Sequence, residues 1–158
     1  MKIRKAKIED VEQIIPIIIQ LQKLHIEGRK DVFKNKEYKE AKKEVIEKIL
    51  DKNLNVLIAI DEELKVCGVL ICKVKIIENH INIKDTRILW IDEIVIKDEF
   101  KRQGIGKELI YKAKEIAKKE NCSRLELNCW TFNKNAIEFY KKIGMSEQRI
   151  NMELKVEE

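Results

Sequence analysis

Ile94-Val-Ile-Lys-Asp-Glu-Phe-Lys-Arg-Gln-Gly-Ile-Gly-Lys-Glu-Leu-Ile110 is the stretch whose reading decides the fold. A β-branched run passes through a charged turn into a helix start that carries two glycines. Gly104 and Gly106 have no side chains, so backbone amides there can come close to an anion. A helix beginning at Gly104 points its unpaired N–H groups and its dipole at the same place. Lys101, Arg102 and Lys107 bring three cations to it. Each dipole–anion contact is worth ~0.3–1 kcal/mol, so several must combine. The arrangement suits a pyrophosphate. It is not the Gly-x4-Gly-Lys-[Ser/Thr] phosphate loop, and Leu109 stands where a nicotinamide fingerprint needs its third glycine.

Upstream, the character of the chain changes at Asn55. Residues 55–60, 65–77 and 86–96 are apolar, β-branched runs separated by a charged turn at 61–63 and a polar connection at 78–85. Gly68 suggests a bulge in the second run. Before them lie a short strand at 2–6 and two helices. The first opens at Asp10 and runs to about Glu27, with Val11, Ile14, Ile15, Ile18, Leu21 and Leu24 on one face. Pro16 can bend it, and Gly28 can stop it. The second covers 36–51. Downstream come a helix at 104–119, a strand at 124–129, a helix at 133–142 and a final strand within 147–156. The order β-α-α-β-β-β-α-β-α-β predicts an α/β layered domain with a mixed central sheet flanked by helices, with a right-handed β-α-β crossover over 86–129. Residues 1–158 read as one domain.

Composition narrows the function. The chain is 44% hydrophobic and 39% charged, a globular balance. The net charge of +5 comes from 33 basic and 28 acidic residues mixed along the chain, which speaks against a nucleic-acid stripe. No apolar run approaches the length of a membrane-spanning helix, and no secretory leader is legible. Cys67, Cys72, Cys122 and Cys129 lack zinc spacing and sit among apolar residues, so they read as reduced packing residues in a cytoplasmic protein, with no metal. Neither Cys72 nor Cys129 has a sequence-adjacent His to make a thiolate, which disfavours a covalent route. Trp90 and Trp130 read as core or cleft walls.

Lys101-Arg102-Gln103-Gly104-Ile105-Gly106 resembles motif A of the GCN5-related N-acetyltransferase (GNAT) family, [Gln/Arg]-x-x-Gly-x-[Gly/Ala], with Lys101 at the usual Arg or Gln position. Asn133-Lys-Asn-Ala136-Ile-Glu-Phe139-Tyr140-Lys-Lys-Ile-Gly144-Met145 resembles that family's Asn-x2-Ala-x2-[Phe/Leu]-Tyr-x3-Gly-Phe motif, with Met145 for Phe. The two stand in the family's order and spacing.

The resemblance implies an acyl-CoA N-acyltransferase fold and an enzyme that moves the acetyl group of acetyl-CoA to an amine. It implies that the backbone of Ile94, Val95 and Ile96 pairs with the pantetheine arm. The pyrophosphate would sit on Lys101, Arg102, Gln103, Gly104, Ile105, Gly106 and Lys107, and Asn133 and Ala136 would flank the pantetheine. Tyr140 would protonate the leaving sulfur. An acid near Glu93 is expected to accept the amine proton, with Asp92 a near-equal second. Strand alternation lets only one of the two face the acceptor. Residues 20–38 would wall the acceptor cleft, with His25, Glu27, Arg29, Asp31, Phe33 and Tyr38 as candidates. Homodimerisation is possible, by resemblance. A non-catalytic acetyl-CoA-binding sensor is the alternative. The presence of both carboxylates and the tyrosine favours the enzyme.

Overall fold

Three long apolar strands set the architecture. In the computed structural model, which describes residues 1–156, β2 (Leu54–Ile60), β3 (Val66–Ile77) and β4 (Thr86–Ile96) form an antiparallel centre. β1 (Lys2–Lys5) adds antiparallel to β2, and β5 (Arg124–Leu127) adds parallel to β4, giving the sheet order β1-β2-β3-β4-β5. The mixed sheet expected from the sequence is therefore present.

The chain divides into two compact units, Met1–Asn128 and the residues from Cys129 onward. In the first unit, helices α1 (Val11–Gly28) and α2 (Tyr38–Leu50) cover one sheet face. Ile14, Ile15, Ile17, Ala41 and Val45 pack there with Val56, Ile58, Val69, Ile71 and Val95. Helix α3 (Ile105–Lys119) buries Leu109, Ile110, Ala113 and Ala117 and packs on the opposite face. Each fully buried aliphatic side chain contributes about 1.5–3 kcal/mol. Gly68 is needed by that packing, because a Cβ there would come within 2.7 Å of Ile96 Cδ1 and 3.1 Å of the Val95 carbonyl oxygen. The β2–β3 irregularity places Cys67 as the extra residue beside Gly68.

Asp10 is the cap position from which α1 opens, as expected, and it also ends a short 3-10 turn, Ile8–Asp10, before the helix. Its buried carboxylate takes Arg4 in a fork at 2.7 and 2.8 Å and the Lys7 amide at 2.7 Å. Helix α1 runs through Pro16 and ends at Gly28.

In the second unit, α4 (Lys134–Lys142) starts at Asn133, whose side-chain oxygen accepts from the Ala136 amide at 3.2 Å. Trp130 stacks on Phe132 with ring centroids 5.9 Å apart. The final strand expected within 147–156 is not formed. Ile150, Met152, Leu154 and Val156 alternate as a strand requires, but a strand needs a ladder partner, and these side chains stand 75–93% exposed.

Candidate active site

The strand β4 carries the decisive local feature. Ile71 pairs with Glu93 and Cys72 with Ile91, so Asp92 is one residue too many for the ladder. This bulge breaks the alternation. The expectation that only one acid can face the acceptor side is thereby overturned. Asp92 and Glu93 both line a cleft of about 530 Å³ on the α1–α2 side. Beyond the bulge the ladder resumes with Val95 on that side.

The cleft has apolar walls from Ile18, Leu21, Val32 and Phe33, and acids from α2, Glu40 and Glu44. His25 lies in the wall, its ring stacked on Phe33 at 4.9 Å. Burial pushes the His25 imidazole below its ordinary value, and Glu93 opposes this. Of the other residues proposed for the acceptor wall, Glu27, Arg29, Asp31 and Tyr38 do not line it. Arg29 grips Asp31 at 2.7 Å, and the Tyr38 hydroxyl donates to Glu12. Arg29, Asp31 and Tyr38 are thus engaged in contacts away from the cleft.

Glu93 is fixed by a residue that sequence reading missed. Lys48 Nζ donates to Glu93 Oε1 at 2.5 Å and also pairs with Glu44 at 2.6 Å, which in turn pairs with Lys36. Burial works against the Lys48 charge, but Glu93 and Glu44 outweigh it and hold the ammonium above its ordinary value. Burial likewise pushes the Glu44 carboxyl up, and Lys36 and Lys48 together bring it below its ordinary value. The other oxygen, Glu93 Oε2, is buried and has no hydrogen-bond partner among the described residues. Asp92 is held by Lys73 at 3.2 Å. The available signal was Glu44 and Lys48 at i, i+4 spacing, but nothing in it pointed to β4.

Past the bulge, β4 offers an open edge. β5 pairs with β4 only over Ile88–Ile91. The Lys97 amide donates to the Cys67 carbonyl of β3 at 2.9 Å. Backbone direction alternates, so Val95 also turns to β3, while Ile94 and Ile96 turn their amides and carbonyls the other way. The Ile96 carbonyl there accepts from Gln20 Nε2 at 3.0 Å, and Gln20 Oε1 accepts from the Asp98 amide at 3.1 Å. Gln20 thus pins the strand end. Its signal was a lone amide inside the apolar run 17–21.

The glycine turn follows. A 3-10 turn at Asp98–Phe100 leads to Arg102, φ +61°, and Gly104, φ +82° at the start of α3. An L side chain is strained at that angle, which explains glycine at 104. Helix geometry gives the amides of Ile105, Gly106 and Lys107 no acceptor within α3. Gln103 and Gly104 are exposed and Gly106 is half-buried. The amides at this helix start are therefore placed to receive a phosphate group. Lys101 is held by Asp98 at 2.5 Å, while Arg102 and Lys107 extend into solvent, the latter 5.5 Å from the Tyr111 ring centre.

In the second unit, Tyr140 is half-buried. Burial, reinforced by Cys129, pushes its hydroxyl well above the ordinary value. Asn133 and Ala136 form the α4 cap described above. All four cysteines are free. Burial raises the Cys72 thiol to about 12 and raises Cys129 as well, so neither is a ready thiolate. Trp90 belongs to neither core nor cleft, since it is half-buried with Lys75 Nζ lying 3.3 Å from its ring centre. No helix among the described residues is long and apolar enough to cross a membrane.

The sequence pattern of the acetyltransferase (GNAT) family matches residues 20–145. The chain belongs to that family. Among curated relatives, this GNAT chain is 42% identical over 69 residues to an uncharacterized N-acetyltransferase of Methanocaldococcus jannaschii, covering 44% of the chain and 30% of the relative. It is 36% identical over 61 residues to a thialysine N-epsilon-acetyltransferase of Bos taurus, covering 39% of the chain and 36% of the relative. The chain thus spans about a third of the length of the curated relatives it matches. A mutant Bacillus halodurans protein shares the fold with a TM-score of 0.94 at 22% identity over 99% of both chains. An aminoglycoside N-acetyltransferase in complex with CoA shares it with a TM-score of 0.76 at 15% identity, over 98% of this GNAT chain and 93% of the other. The acyl-CoA N-acyltransferase fold expected from the sequence is borne out.

Proposed function

We propose that this chain is an acetyl-CoA-dependent N-acetyltransferase that acetylates a primary amine carried on an apolar stem, by direct transfer. One observation carries the reading: Glu93 at the bulge has one oxygen clamped by Lys48 and the other buried without a partner in the cleft wall. A carboxylate so held is ready to take a proton from an incoming ammonium, directly or through water. A lysine-like amine has a pKa of ~10.4, so deprotonation near pH 7 costs about 4–5 kcal/mol at 1.36 per unit. Asp92, already held by Lys73, is the second candidate.

The co-substrate supplies the acetyl thioester. The exposed turn at Gly104 and the amides of Ile105, Gly106 and Lys107 fit its pyrophosphate, with Arg102 and Lys107 adding charge and Lys101 and Gln103 at the rim. The outward amides of Ile94 and Ile96 and the Ile94 carbonyl fit a pantetheine arm, the Ile96 carbonyl being held by Gln20 and Val95 between them committed to β3. The Ile96 amide would polarise the thioester carbonyl. Asn133 and Ala136 would flank the arm. Tyr140, whose raised pKa keeps it protonated at neutral pH, would return a proton to the sulfur. No role for a metal enters the scheme.

The family match crosses the boundary between the two compact units, which supports residues 1–158 acting as one catalytic domain. Thialysine and aminoglycoside acetyltransferases among the similar proteins support an amine acceptor. The free cysteines suit a reducing, cytoplasmic setting.

A thiol-release screen over aliphatic amines, amino acids, aminoglycosides and short peptides at fixed acetyl-CoA tests the proposal. At least one amine class is expected to release CoA well above the hydrolytic background. Release no faster with any amine, alongside calorimetric acetyl-CoA binding, would mark a non-catalytic binding module instead. Tyr140→Phe is expected to slow turnover roughly tenfold, since a thiol of pKa ~8.5 already leaves well. Its acetyl-CoA affinity should be unchanged.

A further inference from the structure

Four charged side chains of the first compact unit stand in a row with alternating signs. Glu93 of β4 takes Lys48 Nζ at 2.5 Å, Lys48 takes Glu44 at 2.6 Å, and Glu44 takes Lys36. The row joins a strand, helix α2 and the segment 29–37 that links α1 to α2. Its side chains are 21–30% exposed, so water screens these pairs only in part. Glu93, Glu44 and Lys36 line the cleft, and Lys48 sits behind them, outside its lining.

Lys48 has one ammonium to divide between two carboxylates, and Lys36 biases the division. With Lys36 in place, Glu44 already has a cation of its own, which helps to hold it below its ordinary value against burial. Lys48 is then left to Glu93. Without Lys36, Glu44 would draw Lys48 harder, and a positive charge would be gone from the neighbourhood. Both changes favour the protonated form of Glu93. The other charges around the cleft have separate ties. Asp92 is held by Lys73 at 3.2 Å, and Glu40 accepts from the Glu37 amide at 2.9 Å. His25 of α1 feels Glu93, but burial pushes it toward its neutral form. Lys34 also lines the cleft and is exposed.

The backbone that carries Lys36 is tied down beside it, since Gln22 Nε2 donates to the Lys34 carbonyl at 2.6 Å. The same segment gives Val32 and Phe33 to the apolar wall. We propose that Lys36 is a positioning residue for Glu93: acting through Glu44 and Lys48, it sets the pH at which Glu93 takes up a proton. Segment 29–37 thus both walls the cleft and tunes its carboxylate. The catalytic meaning of this rests on Glu93 being the proton acceptor of the proposed reaction.

Carboxyl-carbon NMR titration of the full-length protein tests the proposal without any acceptor. Glu93→Gln and Glu44→Gln identify the two signals, which titrate as a coupled pair. Lys48→Met should raise the pH at which Glu93 titrates by about 1–3 units, the effect of one close opposite charge. Lys36→Met should raise it by a smaller step, and Lys36→Arg should keep it at the wild-type position. Glu44→Gln should lower it, because Lys48 then serves Glu93 alone and a negative charge is gone. Loosened packing does not produce opposite signs at two paired residues. Lys36 and Glu44 are the less buried members, so their variants decide the matter even where Lys48→Met fails to fold. A Glu93 titration unmoved by Lys36→Met overturns the proposal, as does a shift in the same direction from Lys36→Met and Glu44→Gln. Turnover of Glu93→Gln reads the base assignment separately. A wild-type rate there, beside the expected titrations, would remove Glu93 as the base and leave its control by Lys36 standing.

Discussion

The two halves of the candidate site are built from different materials. The turn at 101–107 is defined by backbone: a left-handed glycine at 104 and three helix-start amides. The cleft beside the bulge is defined by side chains drawn from three elements, with Lys48 and Glu44 of α2 reaching Glu93 of β4 and His25 of α1 beside Phe33. Backbone devices are local in sequence and indifferent to pH. Side-chain devices join distant residues and titrate. Under the proposed function, the first kind would hold the diphosphate of the co-substrate, and the second would decide which amine reacts.

The sharpest way to break that division is Glu93→Gln. Turnover should fall about 100-fold or more, the usual weight of a general base, while acetyl-CoA affinity stays within twofold of wild type. A matching loss of cofactor affinity would mean the two halves are not separable. The next effect is on stability. Arg4 holds the Asp10 carboxyl below its ordinary value, with burial opposing and the Lys7 amide assisting. A depressed folded value means the contribution is complete above the unfolded value of about 3.9 and disappears as pH falls through the folded one. Asp10→Asn should thus lose about 2–3 kcal/mol at pH 5–7, with the gap in urea midpoints closing below roughly pH 4. A gap that ignores pH would show that packing, not the ion pair, secures the start of α1.

A smaller effect belongs to the backbone half. Gly104→Val puts a β-branched side chain at φ +82°, a cost of ~1–2 kcal/mol that relaxing the turn would relieve. Acetyl-CoA binding by calorimetry should weaken about tenfold, and the loss should be equal at pH 6 and pH 8. The smallest is Lys101→Ala. With its ammonium exposed and held by Asp98, its removal should weaken binding by about twofold, a difference erased by salt. A larger loss would give the side chain a role the turn geometry does not require.

This contrast also explains what could be read from residue order alone. Strands β2 to β4, the α3 stripe and the glycine turn were legible because each is written within one short window of period or of glycine placement. The pairing of Lys48 with Glu93 was not, since the two are 45 residues apart and their approach depends on how α2 lies on the sheet. Nor was the bulge, because Asp92 and Glu93 read as ordinary alternating positions until the register of β3 is known. Gln20 was visible only as an oddity in an apolar helix. The 147–156 segment was misread for a different reason: alternation shows that a stretch can be a strand, and says nothing about whether this chain supplies its neighbour.

The extra residue in β4 makes the cleft's charge editable. Ile91, Ile94 and Ile96 pair with β3 residues of the α3-facing set, whereas Val95 pairs with Val69 among the α1–α2 core. Shortening the strand by removing Asp92 would leave every one of those side chains on its present side and take away a single negative charge. Changes in how acidic this cleft is can therefore accumulate here without repacking either layer, so its charge is free to drift while the fold stays fixed.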